Sequence, residues 1–169
     1  MVIRMKKIFL ITFILITILL TGCSIANTPT AKVEELLGNY QRLDKNVQIN
    51  YYDLSITRDL SNNTQEEYNK LIKDQYQNLS YEIKEETIDG NIAVVTTSIK
   101  VTDFKKIINK YNKNEYPEEE YHELITKDLK EAKDKVTYTI DFTLTKDNEG
   151  NWQVDDLTNE MREKLLGIN

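Results

Sequence analysis

One thiol, one imidazole and a few groups of carboxylates are the side chains of this 169-residue chain best able to do chemistry. The thiol is Cys23; as the only cysteine it leaves no intramolecular disulfide possible, so the fold must rest on its core. The imidazole is His122, followed at i+3 and i+4 by Ile125 and Thr126, where a helix-borne metal site would need further ligands. Beside Glu120 and Glu123, His122 is expected as a surface residue of an acidic helix. Glu118 to Glu120 follow Pro117, too few ligands for Ca²⁺ and well placed for the first turn of a helix, whose dipole favours acids. Asp147-Asn148-Glu149-Gly150 shares part of a calcium-loop pattern, but Thr145 stands in the place of its first acid, and a turn is the simpler expectation. An acid/base role would need a carboxylate facing a cavity, with tyrosines as oxyanion donors. Asp141 is the candidate, yet it falls on a threonine-bearing face opposite Tyr138, Ile140 and Phe142, where solvent explains it. No Ser/His/Asp set, Gly-rich phosphate loop or Cys/His metal spacing is present. No catalytic, cofactor-binding or metal residue is assigned from sequence, and no cofactor is expected.

Cys23 has a context of its own. Arg4, Lys6 and Lys7 form a basic start, and Ile8 to Leu20 follow as apolar residues interrupted only by two threonines, the layout of a signal peptide. Thirteen residues of helix cover about 20 Å, short of the roughly 30 Å hydrocarbon core of a bilayer. The run ends in Leu20-Thr21-Gly22-Cys23, which resembles the bacterial lipobox: an aliphatic residue, two small residues, then cysteine. The resemblance implies that Cys23 is the lipidation residue, alkylated by a diacylglyceryl group whose acyl chains (palmitate among them) give stable anchoring where one chain would be marginal. Residues 1–22 are then the signal peptide, 23–28 a lipidated tether and 29–169 a single domain.

Arg4, Lys6 and Lys7 are the only charged residues of the first 22, so a chain of net charge −6 that sheds these three positive charges retains −9. Such a chain is repelled by phosphate backbones, and no Lys/Arg cluster is visible along the sequence to reverse this locally; nucleic acid is not an expected partner.

The remaining residues set out alternating helical and strand periods. Thr28-Pro29 starts a helix in which Val33, Leu36, Leu37, Tyr40 and Leu43 recur at helical spacing, to about residue 44. Residues 45–63 keep no clear period and read as loop. Thr64-Gln65-Glu66-Glu67 is a capping box before a second helix carrying Tyr68, Leu71, Ile72, Tyr76 and Leu79. Tyr81 to Ile88 and Ile92 to Val101 flank Asp89-Gly90-Asn91 as a hairpin, and apolar residues on both faces of its second strand suggest a central position. Asp103 caps a helix with Phe104, Ile107, Ile108 and Tyr111 that Pro117 ends or restarts, and a further helix runs to about Lys133. Val136, Tyr138, Ile140, Phe142 and Leu144 alternate with polar residues as a half-buried strand, which returns through Lys146 to Asn151 to Trp152 and Val154. Leu157, Met161, Leu165 and Ile168 close the chain as an amphipathic helix.

The order of these elements resembles the small lipoproteins of Gram-positive bacteria with a cystatin-like or nuclear-transport-factor-two-like roll. The stretches that carry the resemblance are Thr28-Pro29-Thr30 with Val33-Glu34-Glu35-Leu36-Leu37, Tyr76 to Ile83, Ile88 to Val95, and Trp152-Gln153-Val154-Asp155. It implies an α+β fold, a curved antiparallel sheet of about four strands against the N-terminal helix with a helical crossover, and often a concave pocket. It implies no activity. The expected function is that of a non-catalytic, monomeric, lipid-anchored protein on the outer face of the cytoplasmic membrane, binding an unidentified protein or small ligand. The alternative is an isomerase- or hydrolase-type enzyme with a carboxylate in the roll's cavity; a third reading is a purely structural surface protein.

Overall fold

The computed structural model describes residues 27–44 and 61–169; Cys23, the segment before it and residues 45–60 of the loop expected over 45–63 lie outside the described residues. Helix α1 spans Pro29–Arg42, with proline at its first position and the Thr28 hydroxyl accepting from the Ala31 amide at 3.2 Å. It stops two residues earlier than its apolar spacing suggests, because Leu43 turns left-handed (φ 54°) and the Asp44 amide closes back on the Asn39 carbonyl.

Helix α2, Asn62–Gln77, starts before the expected cap. Ser61 caps it and accepts from the Thr64 amide, so Thr64 lies inside the first turn and its hydroxyl meets Ser61 Oγ at 2.9 Å. The end of the stretch read as loop, at Asn62 and Asn63, is therefore helical.

Four antiparallel strands follow in the spatial order β1-β2-β3-β4, as an open sheet: β1 Ser80–Asp89, β2 Ile92–Thr102, β3 Lys135–Lys146 and β4 Trp152–Val154. Gly90, at φ 60°, supplies the turn between the first two. The chain is thus α+β, with five helices among the described residues. Strand β2 is central, as expected, but only one of its faces is covered. Ala93, Val95, Thr97, Ile99 and Val101 are buried, whereas Val94, Thr96 and Ser98 are only half-buried on the face shared with Thr139, Asp141 and Thr143 of β3.

The covered face carries α1, α2 and the closing helix α5, Asn159–Leu166. Val33, Leu37, Ile72, Val95, Ile99, Ile140, Phe142, Leu144, Trp152 and Leu165 fill the space between. The crossover between β2 and β3 does something else. Its first helix, α3, is only Phe104–Ile108, far short of Pro117, and the chain turns back where Lys110 and Tyr111 both meet Asp128. After a single 3₁₀ turn at Lys113–Glu115 comes α4, Glu118–Glu131, two residues shorter than expected. Together α3 and α4 enclose Tyr68 and Leu71 of α2 with Phe104, Tyr121, Ile125 and Leu129, a second and smaller core.

Leu37 is fully buried in the main core, on the helix that packs against β1, β2 and β4. Leu37→Ala is expected to lower the unfolding free energy by roughly 2 to 5 kcal/mol in denaturant titration, and Glu35→Ala, whose half-buried carboxylate pairs with Lys32 of the same helix, by less than about 1 kcal/mol. A Leu37→Ala variant as stable as wild type would detach α1 from the core.

Candidate functional site

Between the two cores lies a buried amide. Gln75 of α2 is 2% exposed and spends both ends of its side chain on the main chain. Its Nε2 donates to the carbonyls of Thr102 (2.7 Å) and Leu166 (2.8 Å), and its Oε1 accepts from the Thr102 amide (3.1 Å). The clamp joins α2 to the last residue of β2 and to the end of α5. Gly167 follows directly: at φ 74° it ends α5, and a Cβ there would come within 2.1 Å of the Thr102 carbonyl oxygen.

Above this clamp opens a cleft of about 520 Å³, the size of a small-ligand site. Leu71, Phe104 and Leu129 give it apolar walls, with Gln75 and Thr102 among the residues lining it. Around it stand Lys70 from α2, Lys130 at the end of α4, Lys133 from the link into β3 and Lys135 at the start of β3, against only two carboxylates, Glu67 and Asp74. Lys130 pairs with Glu67 at 2.8 Å and Lys135 donates to the Thr102 hydroxyl at 3.0 Å. Lys70 and Lys133 have no ion-pair partner among the described residues. In a chain of net charge −6 this is a locally cationic surface with an apolar wall. The expectation of no lysine cluster is corrected here: Lys130, Lys133 and Lys135 are close in sequence, but Lys70 arrives from some sixty residues away and only folding brings it to them.

The histidine is also placed differently from its sequence reading. His122 is 2% exposed, not a surface residue. It lies on the inner side of α4 with Ile125, Thr126 and Leu129, and its Nδ1 meets the Tyr68 hydroxyl at 3.1 Å. The rings of Tyr68 and Tyr121 approach it edge-on, and Nε2 has no hydrogen-bond partner among the described residues. The signal was present as the spacing 122, 125, 126, 129, the i, i+3, i+4, i+7 stripe of a buried helix face; the flanking glutamates obscured it. Burial holds the imidazole pKa below its ordinary value, with Lys113 adding to the effect and Glu118 opposing it.

The other candidate residues stay apart from the cleft. Asp141 is exposed on the open face of the sheet, where it accepts from Thr96 Oγ1 at 2.7 Å. Glu118, Glu119 and Glu120 form the exposed first turn of α4, and no group of three or more His, Cys, Asp or Glu able to hold a metal ion occurs among the described residues. Asp147 builds a turn by accepting from the amides of Glu149 and Asn151, both at 2.9 Å, which hold its carboxyl below the usual range. Cys23 lies outside the described residues, and none of the described helices is long and apolar enough to cross a membrane.

No family model matches the chain, and neither a curated protein nor a solved structure is significantly similar to it.

Because the folded state resists a proton that the unfolded chain accepts near pH 6.5, His122 contributes full stability above that pH. The contribution falls as the pH drops from there toward the depressed folded-state value. Melting temperature should decline between about pH 7 and about pH 5 in wild type, and decline less steeply in His122→Phe. Parallel profiles for the two proteins would show that this imidazole does not titrate on unfolding.

Proposed function

We propose that this protein is a non-catalytic, lipid-anchored binding module of the cell envelope, held by Cys23 at the outer face of the cytoplasmic membrane. Its ligand is a small anionic molecule with an apolar part, taken up in the cleft between α2 and the α4–β3 link. The observation that carries this reading is the cleft itself: four lysines beside Leu71, Phe104 and Leu129, in a chain that is otherwise strongly acidic. A lysine ammonium is a flexible point charge that suits a carboxylate, sulfonate or phosphate, and the apolar wall supplies contact area to the rest of such a ligand. The helix-backed antiparallel sheet with its helical crossover is what the resemblance to cystatin-like lipoproteins would lead one to expect, and we read the domain as a member of that roll acting as a monomer. The crossover in this chain does not lie over the sheet; it builds one wall of the cleft.

Titration with 8-anilinonaphthalene-1-sulfonate, an anion on an aromatic body, tests the cleft. Saturable binding to one site is expected, weakened about tenfold or more in Lys70→Glu/Lys133→Glu with melting little changed; a tenfold loss corresponds to about 1.4 kcal/mol. Equal affinity in both proteins would remove the cleft as an anion site. The anchor is tested separately: metabolic fatty-acid labelling should mark wild type and not Cys23→Ala, and a labelled mutant would remove Cys23 as the acceptor.

A further inference from the structure

The end of the domain where the chain enters from Cys23 is built as a unit. Asn27 is fixed to the β3–β4 turn: its Oδ1 accepts from the Trp152 amide at 2.9 Å, and its Nδ2 donates to the Gly150 carbonyl at 3.2 Å. That turn is joined to the β1–β2 hairpin by the Lys146 amide, which donates to the Asn91 carbonyl at 2.9 Å. The first turn of α1 is held to the same hairpin, because Glu86 Oε2 accepts from the Thr30 amide at 2.9 Å and the Thr30 hydroxyl at 2.7 Å. A bulge between Ile83 and Glu85 makes this possible. It shifts β1 by one residue, so that Glu86 and Ile88, opposite Val95 and Ala93, lie on the side of the sheet that faces α1.

The large hydrophobic residues left exposed among the described residues are Ile88 (51%) and Ile92 (54%), and both sit at this end, beside the Asp89–Asn91 turn. Asn27 comes only four residues after Cys23, a reach of at most about 14 Å at roughly 3.5 Å per residue. With Asn27 held to the β3–β4 turn, so short a tether would bring the hairpin tip to the surface in which a lipid on Cys23 is seated. The cleft lies at the other end of β2, around Thr102, ten residues or about 33 Å from Ile92.

Resting on the reading of Cys23 as the lipidated residue, we infer that the β1–β2 hairpin tip is a second membrane contact. Ile88 and Ile92 enter the headgroup region beside the anchor, and the domain stands with its cleft directed away from the bilayer. Asp89 lies in the hairpin turn and Asp147 and Glu149 in the β3–β4 turn joined to it, against the one lysine of that turn, Lys146, whose ammonium lies over the Trp152 ring, so the contact is apolar and not electrostatic, and anionic lipid should weaken it.

The test uses the full lipidated protein in phosphatidylcholine vesicles, with single nitroxide labels at Ile88→Cys, Ile92→Cys and, at the cleft end, Glu131→Cys. A thioether-blocked Cys23 leaves the introduced thiol as the only one that reacts. Labels at 88 and 92 should show raised accessibility to oxygen and reduced accessibility to a water-soluble nickel complex, with the label at 131 fully aqueous. Adding phosphatidylglycerol should move the first two toward the aqueous pattern. Aqueous labels at 88 and 92 on protein that floats with the vesicles would overturn the tip contact while leaving the anchor intact. Spin–spin broadening between copies would overturn it in favour of a second protein molecule on the tip. Mass spectrometry showing no diacylglyceryl group on Cys23 would overturn the anchor reading and the tip contact with it.

Discussion

The primary amide of Gln75 sits where the last residue of the central strand, the end of the closing helix and helix α2 meet, and it satisfies main-chain groups of both partners at once. A buried carbonyl or amide without a partner costs about 1 to 3 kcal/mol, so no apolar side chain could take this place without leaving Thr102 and Leu166 unpaired. Much else follows from it. The clamp fixes the angle between α2 and the sheet, which decides where the main core under the sheet ends and where the smaller core built by Tyr68, Leu71, Phe104 and Leu129 begins. The cleft opens along that seam. It also requires Gly167, since α5 must end where the Thr102 carbonyl leaves no room for a Cβ.

Seen along the strands, the domain has two ends of opposite character. One end gathers the incoming chain, two turns and the start of α1 through Asn27, Asn91 and Glu86, and leaves two isoleucines uncovered. The other end gathers lysines around an apolar wall. The sheet between them is stiffened on one face by three helices and stands open on the other, where Thr139, Asp141, Thr143 and their neighbours meet solvent. An antiparallel sheet with one wet face is an ordinary solution, and here it keeps the helices, and therefore the cleft, on one side. The exposed ion pairs of the crossover, such as Lys106 with Asp134, add little to stability.

The four strands, the two hairpins and the helices at both ends were legible because their signals are local: alternation in β3, Asp-Gly-Asn at the hairpin, Thr28-Pro29 at a helix start; the pairing of β2 with β3 across the crossover has no such local signal. The parts that escaped the sequence are those where a tertiary partner decides. Ser61 and Thr64 are both acceptable caps by type, and the choice between them falls on whichever residue's backbone leaves the helix. The bulge in β1 was hinted at only by Ile88 breaking the parity set by Tyr81 and Ile83. His122 was judged by its charged neighbours in the chain when its partners were three, four and seven residues away on a helix and, through Tyr68, on another element. Lys70 cannot be associated with Lys130, Lys133 and Lys135 without knowing that α2 lies beside the end of α4. Gln75, flanked by Asp74 and Tyr76, carries no mark in the sequence that its amide is buried.

If the clamp organises the seam between the two cores, the most direct measurement is hydrogen exchange combined with denaturant unfolding on Gln75→Met, which keeps the length of the side chain and removes its polar atoms. The account predicts a loss of about 3 kcal/mol or more, from three main-chain groups left without their partner at about 1 kcal/mol or more each. It also predicts that the Thr102 amide becomes one of the faster-exchanging amides of β2 while those of Val95 and Thr97 keep the protection of the global fold. Unfolding within about 0.5 kcal/mol of wild type, with the Thr102 amide as protected as before, would contradict it.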